Sequence, residues 1–309
     1  MNFDDTPEEA AFRAEARAWI QANAPHELAD ELAQGGFGHM ALKSVDPMEA
    51  AKAWQKKKFD AGWACLHWPK EYGGRGASPI ERVIWGQEEG VFGALGGTFI
   101  IGHGMCGPTV MAWGKEEHKR KLLPPLAAGE EIWCQLFSEP AGGSDLAGLR
   151  TRAERATDGS GDWIINGQKI WTSGAQNSDY GILITRTDPN VPKHKGITFF
   201  LVDFKTPGIT ANPLTTMANE HCFSEVFYDN VRVPKKNIVG KVNGGWKVAM
   251  TAASYERSGI YRIARALGNV DKLIEFAKEP LPGGHIIGKD PYVRQKLVNL
   301  YIEGRIARL

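Results

Sequence analysis

From residue 249 onward, apolar residues recur at alternating steps of four and three. Ala249, Ala253, Ile260, Ile263, Leu267, Val270, Ile274 and Ala277 form one seam of a helix that begins near Trp246. The seam has one irregularity: the position between Ala253 and Ile260 is occupied by Glu256. A second stripe, Val293, Leu297, Leu300 and Ala307, predicts a final helix from about Pro291 to the end. Two helices with one-sided seams require partners, either other subunits or a natural chain continuing past Leu309.

Polar punctuation marks the first helix. Thr6 suits an N-cap, Pro7 the first helical position, and Glu9 completes a capping box ahead of Phe12, Ala16, Trp19 and Ile20. Further helices are predicted at about 47–61, 79–91 and 109–126, the last broken at Gly114. After about residue 128 the pattern changes. Segments 132–137, 163–165, 181–187, 196–203 and 223–228 are short and rich in β-branched and aromatic residues, separated by turn signals such as DGSGD, NG and TPG. Short strands without intervening helices predict a small antiparallel sheet or barrel. The expected organisation is therefore α+β: a helical region 1–128, a strand-rich region 129–242 and a second helical region 243–309.

Composition narrows the function. The net charge is +1 and basic residues are spread along the chain, which argues against a nucleic-acid-binding face. Cys65, Cys106, Cys134 and Cys222 form no CxxC pair, and His67, His103, His118 and His221 share no ligand spacing, so no metal site is predicted. KEEHKRK at 115–121 reads as a solvated helix face. The acidic N-terminus is unlike a signal or transit sequence, and no apolar run is long enough to span a bilayer. The expectation is a cytoplasmic protein with reduced thiols, no membrane segment and no nucleic-acid partner.

GHGMCG at 102–107 matches the G-x-G-x-x-G dinucleotide fingerprint. That fingerprint needs a strand before it, a helix after it and an acidic residue on a following strand. Pro108 follows at once, and LLPPLAAGEE offers no such strand. The segment is read as a turn between helices rather than as an NAD site.

Chemistry concentrates in two other segments. CQLFSEPAGGSD (134–145) runs from a strand into a glycine turn flanked by Ser138 and Ser144. GQKIWTSGAQNS (167–178) places Trp171, Thr172 and Ser173 at a second strand end. An aromatic face beside hydroxyl and backbone donors suits a flat redox-active ring, and glycines allow close backbone approach.

With SEPAGGSDLAG (138–148), NGQKIWTSG (166–174), FSEVFYDNVRVP (223–234), NGGW (243–246) and YER (255–257), the chain resembles the acyl-CoA dehydrogenase family over nearly its whole length. The resemblance implies an α-helical N-terminal domain, an antiparallel β-barrel middle domain and a C-terminal helical bundle, incomplete here. It implies FAD as cofactor, an acyl-CoA substrate dehydrogenated between Cα and Cβ, and an electron-transferring flavoprotein as electron acceptor. By the same resemblance, Gln135, Phe137 and Ser138 line the flavin, and Gly143 and Ser144 mark where flavin and CoA meet. Trp171 and Thr172 flank the ring edge, Ser173 donates toward N5, and Ser254 and Arg257 contact CoA.

Glu256 then acquires a role. Removing a weakly acidic Cα proton needs a base whose pKa is raised by exclusion of water, and a carboxylate on an apolar seam meets that requirement. Its helix position resembles that of the catalytic Glu in one branch of the family. The structural alternative pairs Glu256 with Arg257, Arg262 or Arg294. Many members carry an Arg-x-x-Phe-Gly segment that reaches the FAD pyrophosphate of a neighbouring subunit; the corresponding loop here, LPGGHIIGKDPYVRQKL (281–297), lacks it. The departure resembles members that assemble as heterotetramers of unlike subunits, beside the more usual homotetramer. Two other functions stay open: an acyl-CoA or nitroalkane oxidase of the same fold, and a non-catalytic partner subunit.

Overall fold

A computed structural model describes residues 4–34, 42–257 and 261–308, with backbone alone at 261–269 and 307–308. The helices are α1 (Pro7–Asn23), α2 (Ala29–Gln34), α3 (Pro47–Asp60), α4 (Pro79–Glu89), α5 (Gly107–Trp113), α6 (Glu116–Ala128), α7 (Gly245–Arg257), α8 (Tyr261–Lys278) and α9 (Pro291–Arg308). The strands are β1 (Trp133–Leu136), β2 (Arg152–Arg155), β3 (Trp163–Ser173), β4 (Tyr180–Arg186), β5 (Ile197–Asp203), β6 (Ile209–Leu214), β7 (Phe223–Val233) and β8 (Ile238–Val239). Contacts divide the chain into two compact units: Met1–Asn23, Ser78–Gly90 and Ser258–Leu309 form one, Ala24–Ala77 and Val91–Arg257 the other.

In the first unit, the capping box forms as the sequence predicts: the Thr6 N–H donates to Glu9 Oε2 at 2.8 Å, and the Glu9 N–H donates to Thr6 Oγ1 at 3.3 Å. Ser78 and Glu81 cap α4 in the same way. Phe12, Ala16 and Ile20 are buried, Trp19 packs on Trp85 at 5.9 Å, and Glu88 accepts from Arg13 and Arg17. In α9, Val293 and Leu297 are half-buried and Leu300 is exposed; Val298, Ile302 and Ile306 form a further exposed apolar line. Ile260 lies outside the described residues, as do the side chains of Ile263, Leu267 and Ala307.

The second unit is built on one eight-stranded sheet in the order β6-β7-β3-β2-β4-β5-β8, with β1 also paired to β4. It is antiparallel as expected, except where β1 and the start of β2 run parallel to β4. β4 and β5 read as continuous apolar runs because both faces are covered. Ile182, Ile184, Ile197, Phe199 and Leu201 join a core with Trp68, Leu123 of α6, Trp133 of β1 and Val248 of α7. Leu183, Phe200 and Val202 face the other way, onto Ile165, Val226 and Val231. The sequence reading missed β2, β6 and β8 and cut β3 and β7 short.

The expected β3 stops short because Asn166-Gly167 looks like a turn. It lies opposite Asp229-Asn230 of β7 instead, with the Asn230 N–H donating to Asn166 Oδ1 at 2.9 Å. The ladder shifts register there, between Ile165 and Gly167. Asn230 has φ +49°. The turn-like residues accommodate a bulge within long strands.

GHGMCG also departs from expectation. Gly102–Cys106 is one π-helical turn running directly into α5, not a turn between helices. Pro108 has no N–H for an α-helical bond and its ring crowds the preceding turn, which favours local widening of the helix. The break at Gly114 does occur, as its C-cap ends α5. Cys65, Cys106, Cys134 and Cys222 are free thiols. Among the described residues, no single helix is long and apolar enough to cross a membrane.

α7 docks on β5 through Gly245. A Cβ there would lie 2.7 Å from the Thr198 carbonyl carbon and 2.8 Å from the Phe199 nitrogen, both backbone atoms that cannot swing aside. Gly245→Ala should therefore destabilise the protein by about 1–3 kcal/mol, the usual cost of overpacking. Urea denaturation checks this, and an unchanged midpoint would show that α7 is free to shift.

Candidate active site

The ends of β1 and β3 meet at a second irregularity of the β3–β7 ladder. Register shifts between Lys169 and Thr172, so Ile170 and Trp171 fall outside the regular pairing. The Ile170 N–H donates instead to the Ser138 carbonyl, two residues beyond β1, at 3.0 Å. Trp171 takes a left-handed conformation, φ +59°, unusual for a large aromatic residue. Its indole is 60% exposed, with its edge against Phe223 at 6.2 Å. The bulge thus joins the two sequence segments and turns a flat apolar surface outward.

Around that surface, Phe137 is buried edge-on to Phe199 at 5.9 Å, and Gln135 and Ser138 are half-buried. Gly143 and Ser144 are exposed on the turn, and Ser173 is half-buried. The Thr172 hydroxyl is buried with no partner among the described residues. Phe137, Ser138, Gly143 and Ser144 thus follow the end of β1, and Trp171, Thr172 and Ser173 close β3, at one bonded junction. Gln135, back on β1 opposite Ile182, supports it from within the sheet. An open indole beside hydroxyls and a glycine turn fits the apolar face and polar edge of an isoalloxazine.

The turn itself is held by a pair that the sequence reading passed over. Lys169 is fully buried and donates to the Phe137 carbonyl at 3.0 Å and to Glu139 Oε1 at 2.7 Å. The Glu139 carboxylate also accepts from the Arg150 N–H at 2.6 Å and the Thr151 N–H at 2.9 Å. Burial lowers the Lys169 ammonium to about 8, against the upward pull of Glu139. For Glu139, desolvation pushes upward but is outweighed by the Lys169 charge and these hydrogen bonds, leaving the carboxyl below its ordinary value. Both residues stand inside quoted motifs, yet nothing in their order marks charges thirty positions apart as a buried pair.

The second part of the expected site is on α7. Trp113 Nε1 donates to Thr251 Oγ1 at 3.0 Å, and Val248, Ala249 and Ala252 are buried. Glu256 continues this face, seven residues after Ala249 and four after Ala252, but it is exposed. The expected burial of its carboxylate on the seam is therefore not met within the described chain. The buried line of α7 runs as far as Ala252, and Glu256 and Arg257 at the helix end are exposed. No ionic or hydrogen-bonded partner of Glu256 occurs among the described residues. Ser254 is exposed and donates to the Thr251 carbonyl at 2.7 Å, and Arg257 is exposed at the helix end.

A cleft of about 550 Å3 was also missed in sequence. Arg150, Arg152, Arg186 and Lys193 contribute to its wall, between the chain after the turn and the β4–β5 loop. Lys193 Nζ ties this loop to the turn through Asp145 Oδ1 at 2.7 Å. The four cations are dispersed between residues 150 and 193, which hid the cluster.

Since its folded pKa is depressed, Glu139 contributes stability that is present above the roughly 4.3 of an unfolded glutamate. That contribution is lost as pH falls through the lowered folded value. Glu139→Gln should flatten the acid-side loss of stability, read as urea midpoints between about pH 6 and about pH 3. Equal slopes in both proteins would contradict the assigned charge state.

Family models for the N-terminal, middle and C-terminal domains of acyl-CoA dehydrogenases match residues 6–130, 134–231 and 243–309. Acyl-CoA dehydrogenase FadE34 of Mycobacterium tuberculosis is 46% identical over 255 residues, which are 82% of this chain but 35% of that protein. The chain thus spans about a third of that relative. The ChsE4–ChsE5 complex from Mycobacterium tuberculosis matches at 32% identity and TM-score 0.77, covering 99% of this chain and 75% of the matched one. A glutaryl-CoA dehydrogenase from Mycobacterium smegmatis, solved in complex with FADH2, matches at 25% identity and TM-score 0.72, covering 98% and 74%. On three domain matches in order, the chain belongs to the acyl-CoA dehydrogenase family, whose cofactor is FAD.

Proposed function

We propose that this chain carries out α,β-dehydrogenation of an acyl-CoA thioester, with Glu256 taking the Cα proton and an electron-transferring flavoprotein as the eventual electron acceptor. The observation that carries the reading is the meeting of the β1 and β3 ends at Ile170 and Ser138, which sets Trp171, Ser173 and the 138–144 turn around one surface. Bound there, FAD would supply the acceptor for the hydride leaving Cβ. Gln135, Phe137, Ser138, Gly143, Trp171, Thr172 and Ser173 would hold and orient it. Ser144, Ser254 and Arg257 would meet the CoA portion, and the cations of the basic cleft suit its phosphates.

Glu256 is a base by position rather than by its surroundings in the chain alone. A solvated carboxylate is too weak a base for a thioester Cα proton, and desolvation strengthens it. Because Glu256 is exposed here, bound cofactor, acyl chain or further protein would exclude water from it. Donors placed at the thioester oxygen would stabilise the developing enolate.

A second reading concerns assembly. The absence of Arg-x-x-Phe-Gly in 281–297 and the likeness to a complex of two differently named chains favour an unlike dehydrogenase partner over a homotetramer. Full FAD occupancy and turnover by the chain expressed alone would count against it. Rapid consumption of oxygen by the reduced protein would instead indicate an oxidase.

Glu256→Gln should leave FAD affinity unchanged and slow anaerobic bleaching of the flavin by acyl-CoA by roughly a hundredfold to ten-thousandfold, the range for loss of a general base. Stopped-flow absorbance reads the rate. Bleaching at the unaltered rate would remove Glu256 from the mechanism, whereas no bleaching in the unaltered protein would favour the non-catalytic subunit.

A further inference from the structure

Ser138 sits between backbone groups that are fixed on every side. The Phe137 carbonyl before it accepts from Lys169, and its own carbonyl accepts from the Ile170 N–H. Glu139 after it closes the turn on Gly142, with backbone bonds of 3.2 Å and 3.0 Å in the two directions. The Glu139 carboxylate then collects Lys169 Nζ and the N–H groups of Arg150 and Thr151, where the chain returns from the turn. Lys169 stands on β3, two residues before Trp171.

A buried ion pair is a costly way to fill a core, because apolar residues of similar volume often serve stability equally well. This pair does something an apolar pair cannot do. It satisfies one carbonyl before Ser138 and two N–H groups after the turn, so both ends of 138–150 are bonded to one point on β3. An eleven-residue excursion with exposed glycines would otherwise sample many conformations.

We propose that the Lys169–Glu139 pair preforms the 138–144 turn, placing Ser138 and Ser144 for cofactor and acyl-CoA before either binds. Both are positioning residues that act through the turn. The proposal rests on the reading of 138–144 as the contact segment for flavin and CoA. Preorganisation matters because ordering a loop at the moment of binding is charged against affinity.

Amide hydrogen exchange on the unaltered protein, with and without FAD, tests it directly. The amides of Gly142, Arg150 and Thr151 should be protected in the FAD-free protein within about threefold of the loaded protein, since their acceptors belong to the chain itself. Protection that arises only on adding FAD would overturn the proposal. Lys169→Met and Glu139→Gln should lower this protection in the FAD-free state. Each should raise the FAD Kd, measured by flavin fluorescence, roughly tenfold to a hundredfold, as for loss of a charge-assisted bond. A lower melting temperature with an unchanged Kd would also overturn it. If Lys169→Met does not fold, the isosteric Glu139→Gln and the unaltered protein still decide. Failure of the unaltered protein to bind FAD, in its native assembly as well as alone, would sink the reading of the site. Unprotected amides in a protein that binds FAD would sink this proposal alone.

Discussion

The hydrogen bond from the Ile170 N–H to the Ser138 carbonyl is the constraint on which the site depends. A regular β3 would spend that N–H within the sheet, and Trp171 would alternate into an ordinary cross-strand position. The register shift releases the N–H for the chain leaving β1 and forces Trp171 into a left-handed conformation with its indole outward. One bulge therefore joins two strand ends, opens an aromatic surface and aims the following hydroxyls. The cost is a strained backbone at a bulky residue, which persists because the surrounding sheet over-determines it.

The proposed base belongs to a different element with a different logic. α7 is anchored at Gly245 against the β5 backbone, and its buried line runs through Val248, Ala249 and Ala252. Glu256 is in phase with that line but beyond its cover. As the proposed base, an exposed Glu256 spares the described chain the cost of burying an unpaired charge.

Much of this was legible in the residues. Thr6, Pro7, Glu9 and Gly114 fixed helix ends because capping is local chemistry. The cores of β4 and β5 announced themselves as apolar runs. Asn166-Gly167 misled because left-handed-tolerant residues serve bulges as well as turns, and only the partner strand decides. GHGMCG misled because a helix can absorb Pro108 by widening. The aromatic and hydroxyl cluster at 137–144 and 171–173 was visible, whereas Lys169–Glu139 and the basic cleft were not. Charged side chains read as solvated until the sheet brings residues of distant sequence together, and no periodicity encodes that meeting. The seam's first positions hold, with Ala249 buried and Ala253 half-buried, but the burial of Glu256 was over-read, since a pattern does not say how far the cover extends.

The central claim is that Trp171 presents its indole to the flavin ring. Titrating FAD into the unaltered protein and Trp171→Phe, while following tryptophan emission, measures this most directly. The account predicts that a distinct fraction of the quenching, that of an indole in contact with the ring, disappears in Trp171→Phe. Identical fractional quenching in the two proteins, at matched FAD occupancy, would place the flavin elsewhere and contradict the site.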